Sequence, residues 1–479
     1  MFIPRLLERY RGRENHIWVL AGMVGAFFVT SNHAFAQSSH HGSRYLSPEL
    51  YSESFKAPEG SKSYKGFGRL FTLQSTGGAR GHQSQSSAIV DLKALGKQMV
   101  EPKAWANRRE RYSKMPAGYT FFGQFIDHDI TLDTISKLDS PVKKSEIENA
   151  RTVDLDLDCI YGGGPERMPF LYNLPYLKIG KQIPSIRTAR PRYDLLRTSA
   201  GGQPNGGAVA IIGDPRNDEN FIVSQLQSAF IAFHNRIVDK LVEVEYGKRR
   251  GEICKGAKNC SGVRALAAAL PGSAKGEIFE KARDHVIHYY HRIIVEDFIP
   301  RLIGADRADD IRKNGRNFYF PKGFVKKNGE LATPFIPIEF SVAAYRYGHG
   351  QVRQLYRLRS GKKDVVPLFR PSSRKRRGIR GFGEISPNLV VDWRYFFGID
   401  RKLPRNFNFA SKITPFMPRF LHDLASVGVT GSDEPSLAAR NLNRGRVYRL
   451  PSGQSIASVI LPVLEKRGIL SNWAVLDSR

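Results

Sequence analysis

GYTFFGQFIDHDITLDT, residues 118–134, sets an amide (Gln124), a carboxylate (Asp127), a histidine (His128) and a second carboxylate (Asp129) among phenylalanines and isoleucines. The flanking residues make the stretch apolar enough to be buried. A buried charge left unpaired costs several kcal/mol or more, so buried charges pair or bind a metal. A buried Asp-His-Asp therefore asks for a cofactor or an ion, and the rest of the sequence offers candidates for both.

The second informative stretch is RTVDLDLDCIYGGG, residues 151–164. Thr152, Asp154, Asp156 and Asp158 alternate with apolar residues, so every second side chain points the same way. Several carboxylates in a compact loop suit a hard divalent cation, and calcium takes six to eight oxygens in flexible geometry. The stretch lacks the glycine and closing glutamate of an EF-hand. An acidic alternating strand with a solvated face is the competing reading, and Asp129 tips the balance towards calcium.

Two further stretches add polar groups. GDPRNDEN, residues 213–220, leads into a helix and spaces Arg216 and Glu219 three apart, on one face. By itself that is a surface ion pair with capping residues. SVAAYRYGHG, residues 341–350, puts His349 after an apolar and aromatic run, with Arg346 one turn earlier. A lone buried histidine is more often a hydrogen-bonded core residue than a ligand. A haem iron needs one axial imidazole. A haem that cleaves peroxide also needs a distal base and a cation for the departing oxygen.

In this order the four stretches resemble the animal-type haem peroxidases of the peroxidase–cyclooxygenase superfamily, the group of myeloperoxidase and peroxinectin. The similarity spans roughly residues 85–479 and rests on GQFxDHD, DxDxxYG, GDxRxxE and RYGH in combination. It implies a mainly α fold: one large haem-peroxidase-like helical domain with long loops and little β. It implies haem b, with His349 as proximal iron ligand and Asn441, in LAARNLNRGR, accepting the N–H of that imidazole. His128 matches the distal base, Arg216 the distal cation, and Gln124 the residue that holds a distal water or halide. Arg346 matches the arginine that pairs with a haem propionate. Asp127 and Glu219 match carboxylates that form ester links to haem methyls, and Asp129, Thr152, Asp154, Asp156 and Asp158 match calcium ligands. Two positions depart from the pattern: Asn220 stands where myeloperoxidase has a methionine linked to haem, and Asp158 replaces the usual serine of the calcium loop.

The resemblance thus implies reduction of hydrogen peroxide and oxidation of a small donor: halide, thiocyanate or phenol. The nearest alternative is a fatty-acid dioxygenase of the same superfamily. Those enzymes carry a radical-forming tyrosine three residues before the proximal histidine, where this sequence has Arg346. A different alternative is a cationic surface-binding protein without turnover.

Charge is the feature that supports that last reading. The formal charge is +29 over 479 residues. Such a balance favours anionic partners, such as a cell-surface polymer or lipid, and says nothing of the fold. No nucleic-acid-binding module accompanies it. The densest run, Arg374 to Arg377, lies in a Ser/Gly-rich loop and reads as a solvated face.

The N-terminus reads as an export signal, residues 1–36. Arg5, Arg9, Arg11 and Arg13 precede an uncharged apolar run from Ile17 to Thr30, and Ala34-Phe35-Ala36 forms a cleavage site. The run is short of the roughly 20 residues that span a bilayer; an uncleaved anchor is the other reading. Export to the periplasm or beyond follows, with an extended arm over residues 37–85 and the peroxidase domain over 86–479. In an oxidising compartment Cys254 and Cys260, which bracket a short loop, are free to pair, leaving Cys159 as a small buried residue. Helical periodicity runs from Asn220 to Val242 and from Glu277 to Ile303. The histidines His285, His288 and His291 drift around that second helix and read as structural or solvent-facing.

Overall fold

In a computed structural model, the residues described are 67–71, 85–103, 111–133, 149–184, 191–198, 208–255, 260–315, 318–319, 335–361, 364–369, 378–400, 402–424 and 434–466. The export signal, most of the arm and the Arg374–Arg377 run lie outside them.

The fold is mainly α, with long connections and, among the described residues, only two-stranded sheets. The elements that frame the site are α1 (Gln85–Gln98), α2 (Gly118–Ile130), α3 (Phe221–Tyr246), α4 (Gly272–Ile293) and α5 (Leu437–Val447). Helix α2 is the pivot. All its residues except Thr120 and Gln124 are buried, the pattern of a helix enclosed on every side. Phe125 stacks on Phe230 of α3 with centroids 5.0 Å apart, and Tyr290 of α4 closes edge-on against both rings. Aromatic pairs in such offset and edge-on arrangements add about 0.5–1.5 kcal/mol each beyond area burial.

Helix α3 begins where the periodicity predicts. Asn220 caps it, its Oδ1 accepting the N–H groups of Ile222 and Val223. The second expected helix, over 277–303, is interrupted. Helix α4 starts earlier, at Gly272, passes through a π-helical turn at Ile294–Phe298 and resumes over Ile299–Ile303. Pro300 lacks the N–H that a regular α-turn would use there, and a wider turn absorbs that loss.

Part of the arm is attached to the body. Strand β1 (Phe67–Gly68) pairs in parallel with Ile336–Pro337, and the buried Glu339 carboxylate accepts the N–H groups of Leu70 and Phe71. Cys254 and Cys260 form a disulfide, with Cα atoms 5.9 Å apart, and Cys159 is free and buried. Among the described residues no helix is long and apolar enough to cross a membrane.

Candidate haem and cation site

Helix α2 carries Gln124, Asp127, His128 and Asp129 into the centre of the molecule. The last three side chains are fully buried. The 3-10 turn Pro215–Asp218, immediately before α3, lies against them. His128 Nδ1 is 2.6 Å from Asn217 Oδ1. Burial, and secondarily the Arg216 charge, push the His128 pKa down to about 3, so the ring is neutral at ordinary pH.

Arg216 is held rather than loose. Its Nε and Nη2 donate to Asp214, and Nη2 also reaches the carbonyls of His128 (3.1 Å) and Thr131 (2.6 Å). Its Nη1 is buried with no hydrogen-bond partner. Asp214 also receives Arg151 at 2.5 Å, so one carboxylate anchors two guanidinium groups. Gly213 makes this approach possible, because an added Cβ would sit 2.8 Å from the carbonyl oxygens of Asp158 and Cys159. Gln124 Oε1 accepts a hydrogen bond from Asn220 Nδ2 at 3.2 Å.

A second group comes from the other half of the chain. Arg346 lies in a 3-10 turn, Ala344–Tyr347, that runs directly into a helical turn bearing His349. His349 Nδ1 lies 3.1 Å from Asn441 Nδ2 of α5. Turning that amide by 180° would let Oδ1 accept a proton from Nδ1 and leave Nε2 a lone pair. His349 Nε2 is itself buried with no hydrogen-bond partner, and burial pushes the imidazole pKa down to about 3. A buried imidazole nitrogen without a partner is what a metal ligand presents when the metal is left out of account.

Arg346 is joined by Arg444, also buried. Each depresses the ionisation range of His349, and burial together with Arg444 lowers that of Arg346. Two buried cations this close favour anionic groups between or beside them. Asp127 acts electrostatically on Arg346, Arg444, Arg216 and Glu219, which places both halves of the site around it. Glu219 is buried, with Oε2 lacking a hydrogen-bond partner, and burial raises its pKa well above the carboxylate range. Sequence reasoning assigned no role to Arg444, Asp214 or Asn217. Arg444 is three residues after Asn441 on the same helix, so the spacing was the available signal.

The acidic loop is not a strand. Residues 151–157 form an irregular turn in which Leu155 (φ 55°) and Leu157 (φ 62°) adopt left-handed conformations. The expected alternation survives in burial, because Val153, Leu155 and Leu157 enter the core. Asp129 faces the loop from α2: burial, then Asp156 and Asp158, drives its carboxyl upwards. Burial and Asp156 likewise push Asp158 up to about 7. Asp129 Oδ2 and Asp156 Oδ1 are buried with no hydrogen-bond partner. The Tyr290 hydroxyl is close to Asp129 but lacks hydrogen-bond geometry. Thr152 Oγ1 donates to Asp156 Oδ2 at 2.9 Å, while Asp154 is exposed. Among the described residues no three His, Cys, Asp or Glu side chains are grouped closely enough to hold a metal ion. The loop thus gathers oxygen donors without a closed ligand cage.

The sequence of residues 137–446 matches the model of the animal haem peroxidase family. The chain belongs to the animal haem peroxidase family. The matched residues include Arg216, Glu219, Arg346, His349 and Asn441; helix α2, with Gln124, Asp127 and His128, precedes them. The family implies a haem cofactor and oxidoreductase chemistry. Among solved structures, the chain is similar to peroxidase A from Dictyostelium discoideum, at 15% identity and TM-score 0.46, covering 77% of this chain and 69% of that one. It is also similar to the Oryza sativa fatty acid alpha-dioxygenase, at 16% identity and TM-score 0.45, covering 77% of this chain and 61% of that one. No curated protein matches the chain.

Proposed function

We propose that the chain is a haem peroxidase that reduces hydrogen peroxide to water with two electrons from a small donor: a halide, thiocyanate or a phenol. The observation that carries this reading is His349 Nε2, buried and without a partner while Nδ1 contacts Asn441. His349 would hold the iron, Arg346 and Arg444 would face the propionates, and Asp127 and Glu219 are the candidates for ester links. Haem, when bound, supplies the redox chemistry of peroxide reduction.

With haem bound, His128 would take the proton from one peroxide oxygen and return it to the other, which leaves as water, the two electrons of that cleavage being supplied through the haem and restored by the donor. The Arg216 cation, fixed by Asp214, stabilises the negative charge that builds on the departing oxygen. Gln124 orients the peroxide, a water or a halide beside them. The dioxygenase reading lacks its tyrosine: Arg346 stands at that position, and the Tyr345 hydroxyl donates to the Gly123 carbonyl at 2.9 Å.

The reading extends to a calcium ion held by Asp129, Thr152, Asp154, Asp156 and Asp158, whose all-oxygen chemistry suits it. It extends also to export of the chain and to an anionic cell-surface partner for its positive charge. The test is the absorption spectrum of the haem-loaded chain before and after one equivalent of hydrogen peroxide. A Soret band that shifts and is restored by iodide or guaiacol supports the proposal. A folded chain that takes up no haem overturns it.

A further inference from the structure

Behind His128 runs a chain of amides whose polarity has only one solution. His128 Nδ1 lies 2.6 Å from Asn217 Oδ1. Asn217 Nδ2 donates to Gln227 Oε1 at 2.8 Å, and Gln227 Nε2 donates to the backbone carbonyl of Cys159 at 3.0 Å. His128, Asn217, Gln227 and Cys159 are all fully buried, so water cannot substitute for any link.

The directions follow from the far end. A backbone carbonyl can only accept, so Gln227 must turn its NH2 towards Cys159 and its oxygen towards Asn217. An amide oxygen also only accepts, so Asn217 must present its NH2 to Gln227 and its oxygen to His128. Reversing Asn217 alone would set two amide oxygens against each other, and reversing both amides moves that clash to the Cys159 carbonyl. The ring nitrogen facing Asn217 Oδ1 therefore carries the hydrogen.

We propose that Asn217 and Gln227 are positioning residues that lock His128 in the Nδ1–H tautomer, so that Nε2 keeps the lone pair a general base requires. A histidine in water interconverts freely between its two tautomers, and in a folded chain the hydrogen bond made by one ring nitrogen decides which nitrogen carries the proton. Here the choice is made by a carbonyl two side chains away, on the short helical turn that follows the acidic loop. This deepens the peroxidase reading and rests on His128 as the base, but the tautomer itself can be measured whatever His128 does.

The experiment is 15N NMR of the full-length, haem-loaded chain labelled at histidine, in the ferrous carbon-monoxide form, which is diamagnetic. The His128 signals are identified by their loss in His128→Gln. The native chain is expected to show a protonated Nδ1 and an unprotonated Nε2. Asn217→Leu should abolish that preference, Asn217→Asp should keep it because a carboxylate still accepts from Nδ1, and Gln227→Leu should give a mixture.

Reaction with peroxide is followed in parallel. Asn217→Leu should slow it by about ten-fold or more, a part of what a general base contributes, and Asn217→Asp should restore most of the rate. An Nε2–H ring in the native chain overturns the proposal, and so does an unchanged tautomer in Asn217→Leu. If that variant does not fold, an unchanged tautomer in Gln227→Leu overturns it equally. Should His128→Gln react with peroxide at the native rate, the distal-base reading fails, while the tautomer lock stands or falls on the spectra alone.

Discussion

Arg151 and Asp214 meet at 2.5 Å with neither side chain exposed. Arg151 opens the acidic loop, and Asp214 stands two residues before Arg216. The ion pair therefore ties the candidate cation loop to the candidate distal cation through one carboxylate. The charges Arg151, Arg216 and Asp214 all act on His128. Removing one partner of a buried pair costs about 3–5 kcal/mol, because the survivor is left uncompensated. Asp214→Asn should lower unfolding stability by that order, read by denaturant titration. In folded variant protein, peroxide reactivity should fall at least as far as in Arg216→Lys, which keeps the charge but loses the planar fork.

His349→Ala should abolish a stable Soret complex, and free imidazole should restore part of it. Asn441→Leu should retain haem but shift its spectrum, since the Nδ1 partner of the candidate ligand is lost. A variant of His349 that binds haem as the native chain does would remove this residue as the proximal ligand.

The pH dependence of stability has a definite sign at His234. Burial pushes its pKa down to about 4, from 6.5, while Nε2 faces the Pro175 carbonyl and Tyr161 lies against Nδ1. Between those values the unfolded chain binds more protons than the folded one. Stability is therefore complete above pH 6.5 and lost as pH falls towards 4, by at most about 3 kcal/mol. Asp218, raised by burial to about 6, acts in the opposite sense over part of that window. Comparing denaturation midpoints of the native chain and His234→Gln from pH 4 to 8 isolates the histidine: the variant's curve should be flatter on the acid side.

Chelation should lower the thermal midpoint, and calcium should restore it. Asp129, Asp156 and Asp158 repel one another in a buried setting, and an ion that binds only the folded chain stabilises it by mass action. Asp129→Asn should weaken that response. A midpoint indifferent to both chelator and calcium would dispose of the ion.

Asn220→Ala removes a helix cap, worth about 1 kcal/mol, and the hydrogen bond to Gln124. The thermal midpoint should drop. In the haem-loaded chain, the concentration of thiocyanate or iodide giving half-maximal spectral change should rise more than that of peroxide.

Much of this was legible in sequence because burial forces the issue. An aromatic-rich segment carrying Asp127, His128 and Asp129 has to lie inside, and α2 does. The periodicity of α3 located its start at Asn220. The interrupted second helix was less legible, since a π-helical turn depends on packing around Pro300. The compact loop of 151–157 was one of two readings, but its left-handed turns were hidden. Alternation of acidic and apolar residues is shared by a strand and by a loop whose leucines adopt positive φ, and only tertiary contacts separate them. Asp214 stands in the GDxRxxE motif without a role assigned to it there, whereas Asn217 and Gln227 carry no pattern of their own, because a hydrogen-bond relay joins residues on different elements.

Leu155 and Leu157 have one further implication, for the order of assembly. A left-handed backbone costs a branched L-residue about 1–2 kcal/mol. Neither leucine will hold that shape in the isolated segment. The geometry becomes affordable once both side chains enter the core and His291 Nε2 grips the Leu155 carbonyl at 2.9 Å. Asp156 between them, and Asp154 and Asp158 on either side, are thus expected to come into register only after α2 and α4 have docked. A nascent chain exposing only residues 151–158 should have no ion affinity to speak of, and a translation arrest after α4 is the earliest point at which it should appear.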